Sequence, residues 1–197
     1  MIAAIPKEIQ PFETRVSATP STVNELTKAG LTLQVEKGAG LNSFISDSEY
    51  LDAGAQIIDS ASELYSNADI ILKVQSATIK EISKFKPEAY YISFMQTTRS
   101  IDLVLKMADI PLTAFSMHLI PRTTLAQKMD ALSSQANIAG YKAVLTASSR
   151  LGKYMPLLMT AAGTIRPSKT LVLGAGVAGL QAIATAKRLG AQVEAFD

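Results

Sequence analysis

The sequence has no cysteine and only one histidine, His118. Without cysteine the chain can form neither disulfide bonds nor thiolate metal sites. His118 has no paired acidic residues at the spacing that metal ligands require, so we predict no metal site. We expect this lone histidine to be a structural hydrogen-bonding residue.

An excess of charge of one sign is also missing. The 19 Lys and Arg residues and the 17 Asp and Glu residues give a net charge of +2, and the two signs are interspersed. Proteins that bind nucleic acids usually concentrate basic residues in a patch or stripe. The sequence therefore predicts no nucleic-acid partner, while its hydrophobic content of 48% is sufficient for a packed core.

No hydrophobic run is long enough to suggest a membrane span. The most apolar stretch, residues 170–186, is shorter than the roughly 20 residues that cross a bilayer, and it contains Gln181 and three glycines. The first residues, MIAAIPKEIQ, lead directly into strand-like sequence and do not resemble a signal peptide. We therefore predict a cytoplasmic chain with no direct membrane insertion.

Short apolar segments alternate with helix-forming segments along the first 116 residues. Thr19 and Pro20, for example, form a typical start of a helix. Alternation of this kind predicts a parallel sheet covered by helices on both faces. We therefore predict a flavodoxin-like or Rossmann-like α/β domain at residues 1–120. Its strands are expected at residues 2–5, 31–36, 55–58, 70–74, 90–94 and 112–116.

Residues 121–168 break this rhythm and are predicted as a loop followed by a connector helix. Residues 117–129 have no clear period, residues 130–150 form one long helical segment, and residues 155–167 are apolar and irregular. The helical segment is rich in small residues, which permit close helix packing. We expect it to pack between domains or against another subunit.

The segment 169–197 predicts the beginning of a second nucleotide-binding domain. Residues 170–173 read as a strand, residues 192–196 as a second strand, and the helix between them starts after GAGVAG. In this G-x-G-x-x-G fingerprint Gly174 permits the turn, Gly176 allows a pyrophosphate to approach, and Gly179 lets helix and strand pack closely. The helix N-terminus, with Val177 and Ala178, offers free N–H groups to phosphate.

Asp197 lies 18 residues after Gly179, close to the position of the acid that binds the adenosine ribose. An acid there favours NAD over NADP, because it would repel a 2′-phosphate. The competing interpretation is a glycine-rich turn that binds nothing. Since such a domain needs further strands, we expect the second domain to be truncated and to expose apolar surface.

Several motifs resemble the alanine dehydrogenase/pyridine nucleotide transhydrogenase superfamily. In the N-terminal region these are IPKE, ETRV, VEKGAG and LKVQ. Two later segments are similar to the NAD-binding component of transhydrogenases: PRTTLAQKMDALSSQANIAGYKAV, from residue 121, and MTAAGTIRPSKTLVLGAGVAGLQAIATAKRLGA, from residue 159. The run QAIATAKRLG is informative, because nucleotide binding alone would not dictate it.

The resemblance implies an α/β protein that binds NAD(H) and belongs to a proton-translocating transhydrogenase. Hydride would pass directly between NAD(H) here and NADP(H) on a partner component, coupled to proton movement through a membrane-spanning component. It also implies a homodimer, peripheral on the cytoplasmic face of the bacterial inner membrane. The isolated chain is expected to be inactive alone.

The resemblance also assigns the nicotinamide end of the cofactor to a loop and helix start. Gln127 would bind the nicotinamide and its ribose, Arg122 and Asp130 would form a charged pair that shapes the loop, and Ser133 would contact the carboxamide side. The alternative for Arg122 and Asp130 is a plain structural salt bridge. Two positions depart from the family pattern: Leu125 replaces an arginine, and His118 replaces an acid.

Two other functions compete with this interpretation. Arg15 and Lys73 resemble substrate-binding residues of alanine dehydrogenase, but the catalytic histidine expected just after residues 90–94 is absent, which argues against that enzyme. We expect Lys73 to pair with Glu8 or Glu13 and to bind no amino acid. The third possibility is an NAD-binding or interaction module without catalysis.

Overall fold

Six parallel strands form the sheet of the N-terminal region in the computed structural model, which describes Met1–Asp197. The strand order is β3-β2-β1-β4-β5-β6, the order of the doubly wound dinucleotide fold. The sheet order reverses between β1 and β4, so a crevice is expected at their carboxyl ends. The strands are β1 (Ile2–Ile5), β2 (Thr32–Glu36), β3 (Gln56–Ile58), β4 (Ile70–Gln75), β5 (Tyr90–Phe94) and β6 (Thr113–Ser116).

Helices cover both faces of this sheet and enclose two apolar cores. One core joins Val23 and Tyr50 to Leu33 and Val35 of β2, and the other includes Leu64, Ile82, Leu103, Ile71 and Tyr91. The predicted cap is present, since the Thr19 side chain accepts the N–H of Thr22. The helices are α1 (Pro20–Lys28), α2 (Asp47–Asp52), α3 (Ala61–Asn67), α4 (Ile79–Ile82) and α5 (Ile101–Ala108).

The chain divides into two units, Met1–Ile120 and Pro121–Asp197. In the second unit the long helix packs against the helix of the fingerprint. Strands β9 and β10 are parallel and in register from Lys169 and Gln192 to Leu173 and Phe196. The elements are α6 (Ala131–Arg150), β7 (Leu158–Thr160), β8 (Gly163–Ile165), β9 (Lys169–Leu173), α7 (Val177–Arg188) and β10 (Gln192–Phe196).

The predicted α/β class and parallel sheets are confirmed. The prediction of an irregular segment at residues 155–167 was wrong, because β7 and β8 form a small antiparallel hairpin there. Each strand has only three residues, too few to show an alternating pattern. Residues 117–129 contain two short 3₁₀ helices, Met117–Leu119 and Thr124–Met129.

Candidate dinucleotide-binding site

The fingerprint glycines form the turn between β9 and α7. Gly174 has a φ of 94°, which is in the left-handed region that glycine adopts without strain. A Cβ on Gly179 would overlap the carbonyl oxygen of Gly174 and lie 2.9 Å from its carbonyl carbon. Both residues must therefore be glycine for reasons internal to the fold.

Gly176 differs from these two glycines. It has a φ of −67° and a ψ of −171°, an extended conformation open to every residue. A Cβ added there would meet no atom within 4 Å. Neither the backbone nor the packing of this chain explains a glycine at this position, and the close approach of a ligand would.

The N-terminus of α7 is left without a protein partner for its N–H groups. Gly176 is its N-cap and offers no side chain, and the first turn contains no acidic residue. The first N–H groups of a helix have no intrahelical acceptor, and the helix dipole makes this end attractive to anions. Val177 and Ala178 therefore provide donors suited to a phosphate.

Asp197 lies directly beside this turn. Its Oδ1 atom accepts a hydrogen bond of 2.8 Å from the N–H of Ala175, and the N–H of Gly174 donates to the carbonyl of Phe196 at 2.7 Å. The carboxyl ends of β9 and β10 are thereby held side by side. The predicted ribose-binding acid and the predicted phosphate-binding turn are brought together.

The predicted nicotinamide-side residues lie just before the 3₁₀ helix Thr124–Met129 (Arg122), within it (Gln127) and at the start of α6 (Asp130 and Ser133). Arg122 and Gln127 are exposed, and Asp130 is the N-cap of α6. The Asp130 carboxylate accepts the Ser133 N–H at 3.0 Å and its hydroxyl at 2.6 Å, and these bonds lower the pKa of Asp130. Asp130 and Ser133 are thus joined to each other.

The expected ion pair between Arg122 and Asp130 does not form. Asp130 instead caps the helix: one carboxylate oxygen accepts the free backbone N–H of Ser133, and the other accepts the Ser133 hydroxyl. Arg122 contributes only a weak long-range attraction that lowers the pKa of Asp130. The neighbouring Leu125, in place of the family arginine, is 94% exposed.

One contact between α6 and the fingerprint helix was not foreseen. A Cβ on Gly140 would overlap the carbonyl oxygen of Ala178 and lie 2.9 Å from its carbonyl carbon. Close by, the Asn137 side-chain amide donates to Gln181 at 3.1 Å. The small residues of α6 predicted close packing, and the structure shows that α7 is the partner.

Lys73 of the N-terminal unit is paired with acidic residues inside the fold. Lys73, with a side chain 1% exposed, lies 2.8 Å from Glu81 and 3.6 Å from Glu8. The predicted pairing of Lys73 with Glu8 is confirmed, and the alternative pairing with Glu13 was wrong. The shorter contact, with Glu81, was not predicted. Glu81 follows Thr78 at the spacing of a capping box, a signal that places it on the first turn of α4.

Glu13 is held by Arg15, at distances of 2.8 and 2.6 Å, and by Gln75 at 2.6 Å. The hydrogen bonds from the Arg15 guanidinium are the main cause that lowers the pKa of Glu13 to about 2.

The residues that directly follow β5 are Met95 and Gln96. His118 contacts the last residue of β5, Phe94, edge-on, with 5.8 Å between the ring centroids. The Nδ1 atom of His118 is buried without a hydrogen-bond partner, contrary to its expected role.

Comparison with known families gives matches along nearly the whole chain. Residues 4–139 match the N-terminal domain, and residues 143–197 the C-terminal domain, of the family described as Alanine dehydrogenase/PNT. No helix of the chain is both long and apolar enough to cross a membrane.

Individual relatives are similar over the full chain. NAD(P) transhydrogenase subunit alpha from Haemophilus influenzae is 43% identical over 100% of this chain and 38% of its own length. A transhydrogenase structure from Sinorhizobium meliloti has 47% identity and a TM-score of 0.96, covering 100% of this chain and 59% of that one. An L-alanine dehydrogenase structure has 29% identity and a TM-score of 0.87, covering 100% and 55%. The chain therefore spans between 38% and 59% of the length of these three relatives.

Proposed function

We propose, since this chain belongs to the Alanine dehydrogenase/PNT family, that it is the NAD(H)-binding portion of a proton-translocating NAD(P) transhydrogenase of the Re/Si-specific type. The observation that carries the proposal is Gly176, whose lack of a side chain serves nothing inside the protein. It stands at the uncapped N-terminus of α7, where a pyrophosphate would meet free N–H groups.

Different residues of this chain would bind different parts of the cofactor. Gly174, Gly176, Val177, Ala178 and Gly179 would hold the pyrophosphate. Asp197, already oriented by the Ala175 N–H, would accept hydrogen bonds from the adenosine ribose hydroxyls.

The nicotinamide end would be held by the residues around the start of α6. Gln127 would bind the nicotinamide and its ribose, with Arg122 beside it, while Asp130 and Ser133 keep the helix start in place. The nicotinamide supplies the hydride chemistry when it is bound. The catalytic contribution of Gln127, Arg122 and Asp130 is therefore orientation, which can supply much of the rate of such a transfer.

The other components of the enzyme are inferred from the family. NADP(H) would bind a partner component, a membrane-spanning component would move the proton, and this component would be a homodimer on the cytoplasmic face of the bacterial inner membrane. Alone, the chain would bind NAD(H) without transferring hydride.

Alanine dehydrogenase activity is the less supported alternative. No histidine directly follows β5, and the ammonium group of Lys73 is enclosed between two carboxylates. An acid–base group must reach the reacting nitrogen or oxygen for reductive amination.

Titration with NADH and NADPH, followed by nicotinamide fluorescence, tests the proposal. We expect saturable NADH binding and at least about tenfold weaker NADPH binding, a difference of about 1.4 kcal/mol. Asp197→Asn retains an oxygen that can accept the Ala175 N–H but removes the negative charge. This variant should therefore reduce the preference for NADH over NADPH. Asp52→Asn, an exposed position in the other unit, is the control and should leave it unchanged. Equal binding of both nucleotides, or none of either, would contradict the proposal.

A further inference from the structure

A cavity of about 600 Å³, lined only by residues of the N-terminal unit, opens at the carboxyl edge of its sheet. Lys7 and Ile9 line it from the segment after β1, and Glu36 lines it from the end of β2. This is the edge at which doubly wound sheets bind ligands, beside the point where the strand order reverses. Its volume is in the range of small-molecule sites.

Apolar side chains form much of the cavity wall. Ile9 and Ile79 both line it and are 60% and 50% exposed, and Ala61 and the ring of Tyr65 complete this side of the wall. An apolar group placed in the cavity would remove these side chains from water, which is favourable in proportion to the area covered.

Both carboxylate oxygens of Glu81, the buried acid at the cavity, accept hydrogen bonds from the protein. Glu81 receives hydrogen bonds from Lys73 at 2.8 Å and the Tyr65 hydroxyl at 2.7 Å on one oxygen, and from the Thr78 N–H and hydroxyl at 2.7 and 2.9 Å on the other. With both oxygens occupied and the ammonium of Lys73 beside it, Glu81 has little capacity to attract a cation or repel an anion.

Three lysines around the cavity have no acidic partner. Lys7, Lys80 and Lys84 line it, and none of their ammonium groups forms an ion pair. The one remaining acid, Glu36, accepts the backbone N–H of Lys7 at 2.8 Å. The lining therefore has an excess of positive charge, and lysine ammonium groups bind carboxylate or phosphate as point charges.

We propose that this cavity binds a small amphipathic anion, with an apolar ring or short alkyl body against Ile9 and Ile79 and one carboxylate or phosphate on Lys80 and Lys84. A dinucleotide would not be recognised here. Pro6 follows β1 directly and has no N–H, and no helix begins before Pro20, so the phosphate cradle of the fingerprint has no counterpart. The proposal is independent of NAD(H) binding.

The experiment uses the 197-residue chain with ¹³C-labelled isoleucine δ1 methyl groups, observed by NMR. The probes are indole-3-acetate, its neutral analogue indole-3-acetamide, and inorganic phosphate. We expect indole-3-acetate to shift the Ile9 and Ile79 methyl signals in a saturable manner, and the amide and phosphate to bind at least about tenfold more weakly.

Two variants test separately whether binding depends on the lysine charges and on the space in the cavity. Lys80→Gln/Lys84→Gln should weaken indole-3-acetate binding about tenfold or more. The control Lys28→Gln/Lys142→Gln removes the same charge from exposed positions outside the lining and should change nothing. Ala61→Leu should fill the cavity and prevent binding, with the remaining methyl spectrum reporting that the fold is intact.

Three results would overturn the proposal. The first is equal affinity for the acetate and the amide, because the lysines would then contribute nothing. The second is the absence of saturable shifts at Ile9 and Ile79. The third is equal weakening by the two lysine double variants, which would indicate general attraction to a positive protein.

Discussion

At the scale of the residue, the close contact between Gly140 and Ala178 is the feature most open to test. A Gly140→Ala side chain would overlap the Ala178 carbonyl and force α6 away from the helix that carries the phosphate-binding turn. We expect a loss of about 1–3 kcal/mol in unfolding free energy, typical of overpacking. NADH affinity should also fall, although Gly140 itself contacts no cofactor in the proposed site. Urea unfolding and NADH titration measure the two effects.

Gly152→Ala provides the matched control for this substitution. A Cβ on Gly152 meets nothing within 4 Å, and its φ is not in the left-handed region. Alanine there should be neutral or stabilise the chain by less than about 1 kcal/mol, because it reduces the freedom of the unfolded state. If both variants behaved alike, the contact with Ala178 would not be what positions α7.

At the scale of the element, α7 combines a poor helix start with a suitable anion site. Gly176→Ser would place a hydroxyl at the N-cap, where there is room for it, and should stabilise the helix by about 0.3 kcal/mol. The same side chain would occupy the space proposed for the pyrophosphate. We therefore expect an unchanged or slightly higher melting temperature together with loss of NADH binding.

Gly179→Ala separates this effect from general damage to the turn. Its Cβ would overlap the Gly174 carbonyl, so both stability and NADH binding should fall. Melting temperature and NADH titration of the two variants distinguish the cases. Full NADH affinity in Gly176→Ser would show that the glycine is not kept for a ligand.

The elements themselves could be predicted to a large extent from the sequence. Strands such as β4 and β9 are apolar runs bounded by clear breaks, and the caps of α1 and α6 are visible as Thr19 and Asp130. The β7–β8 hairpin could not be predicted, because its three-residue strands have no period. The glycine turn was correctly located, but its bond to Asp197 depends on the register of β9 and β10, which sequence alone does not fix.

At the scale of the whole molecule, the two units differ sharply in apolar burial. Of the buried hydrophobic residues, only Ala126, Val144 and Ala186 lie in Pro121–Asp197, and all the others belong to Met1–Ile120. Leu173 and Phe196 of the second unit are 77% and 65% exposed. Since stability follows buried apolar area, the second unit should open more readily than the first.

Hydrogen exchange measured by mass spectrometry tests this difference and connects it to the cofactor. Without ligand, amides of α7 and β10 should exchange well before those of β1 and β4. NADH at about 100 times its dissociation constant should stabilise the unit that binds it by about 2.7 kcal/mol, slowing its exchange about 100-fold. Exchange in β1 and β4 should not change when NADH is added. In Asp197→Asn, NADH should still slow exchange in the second unit, and NADPH should also slow it to some extent. Equal protection of both units without ligand would contradict the argument from burial, and slowing confined to the first unit would place the cofactor elsewhere.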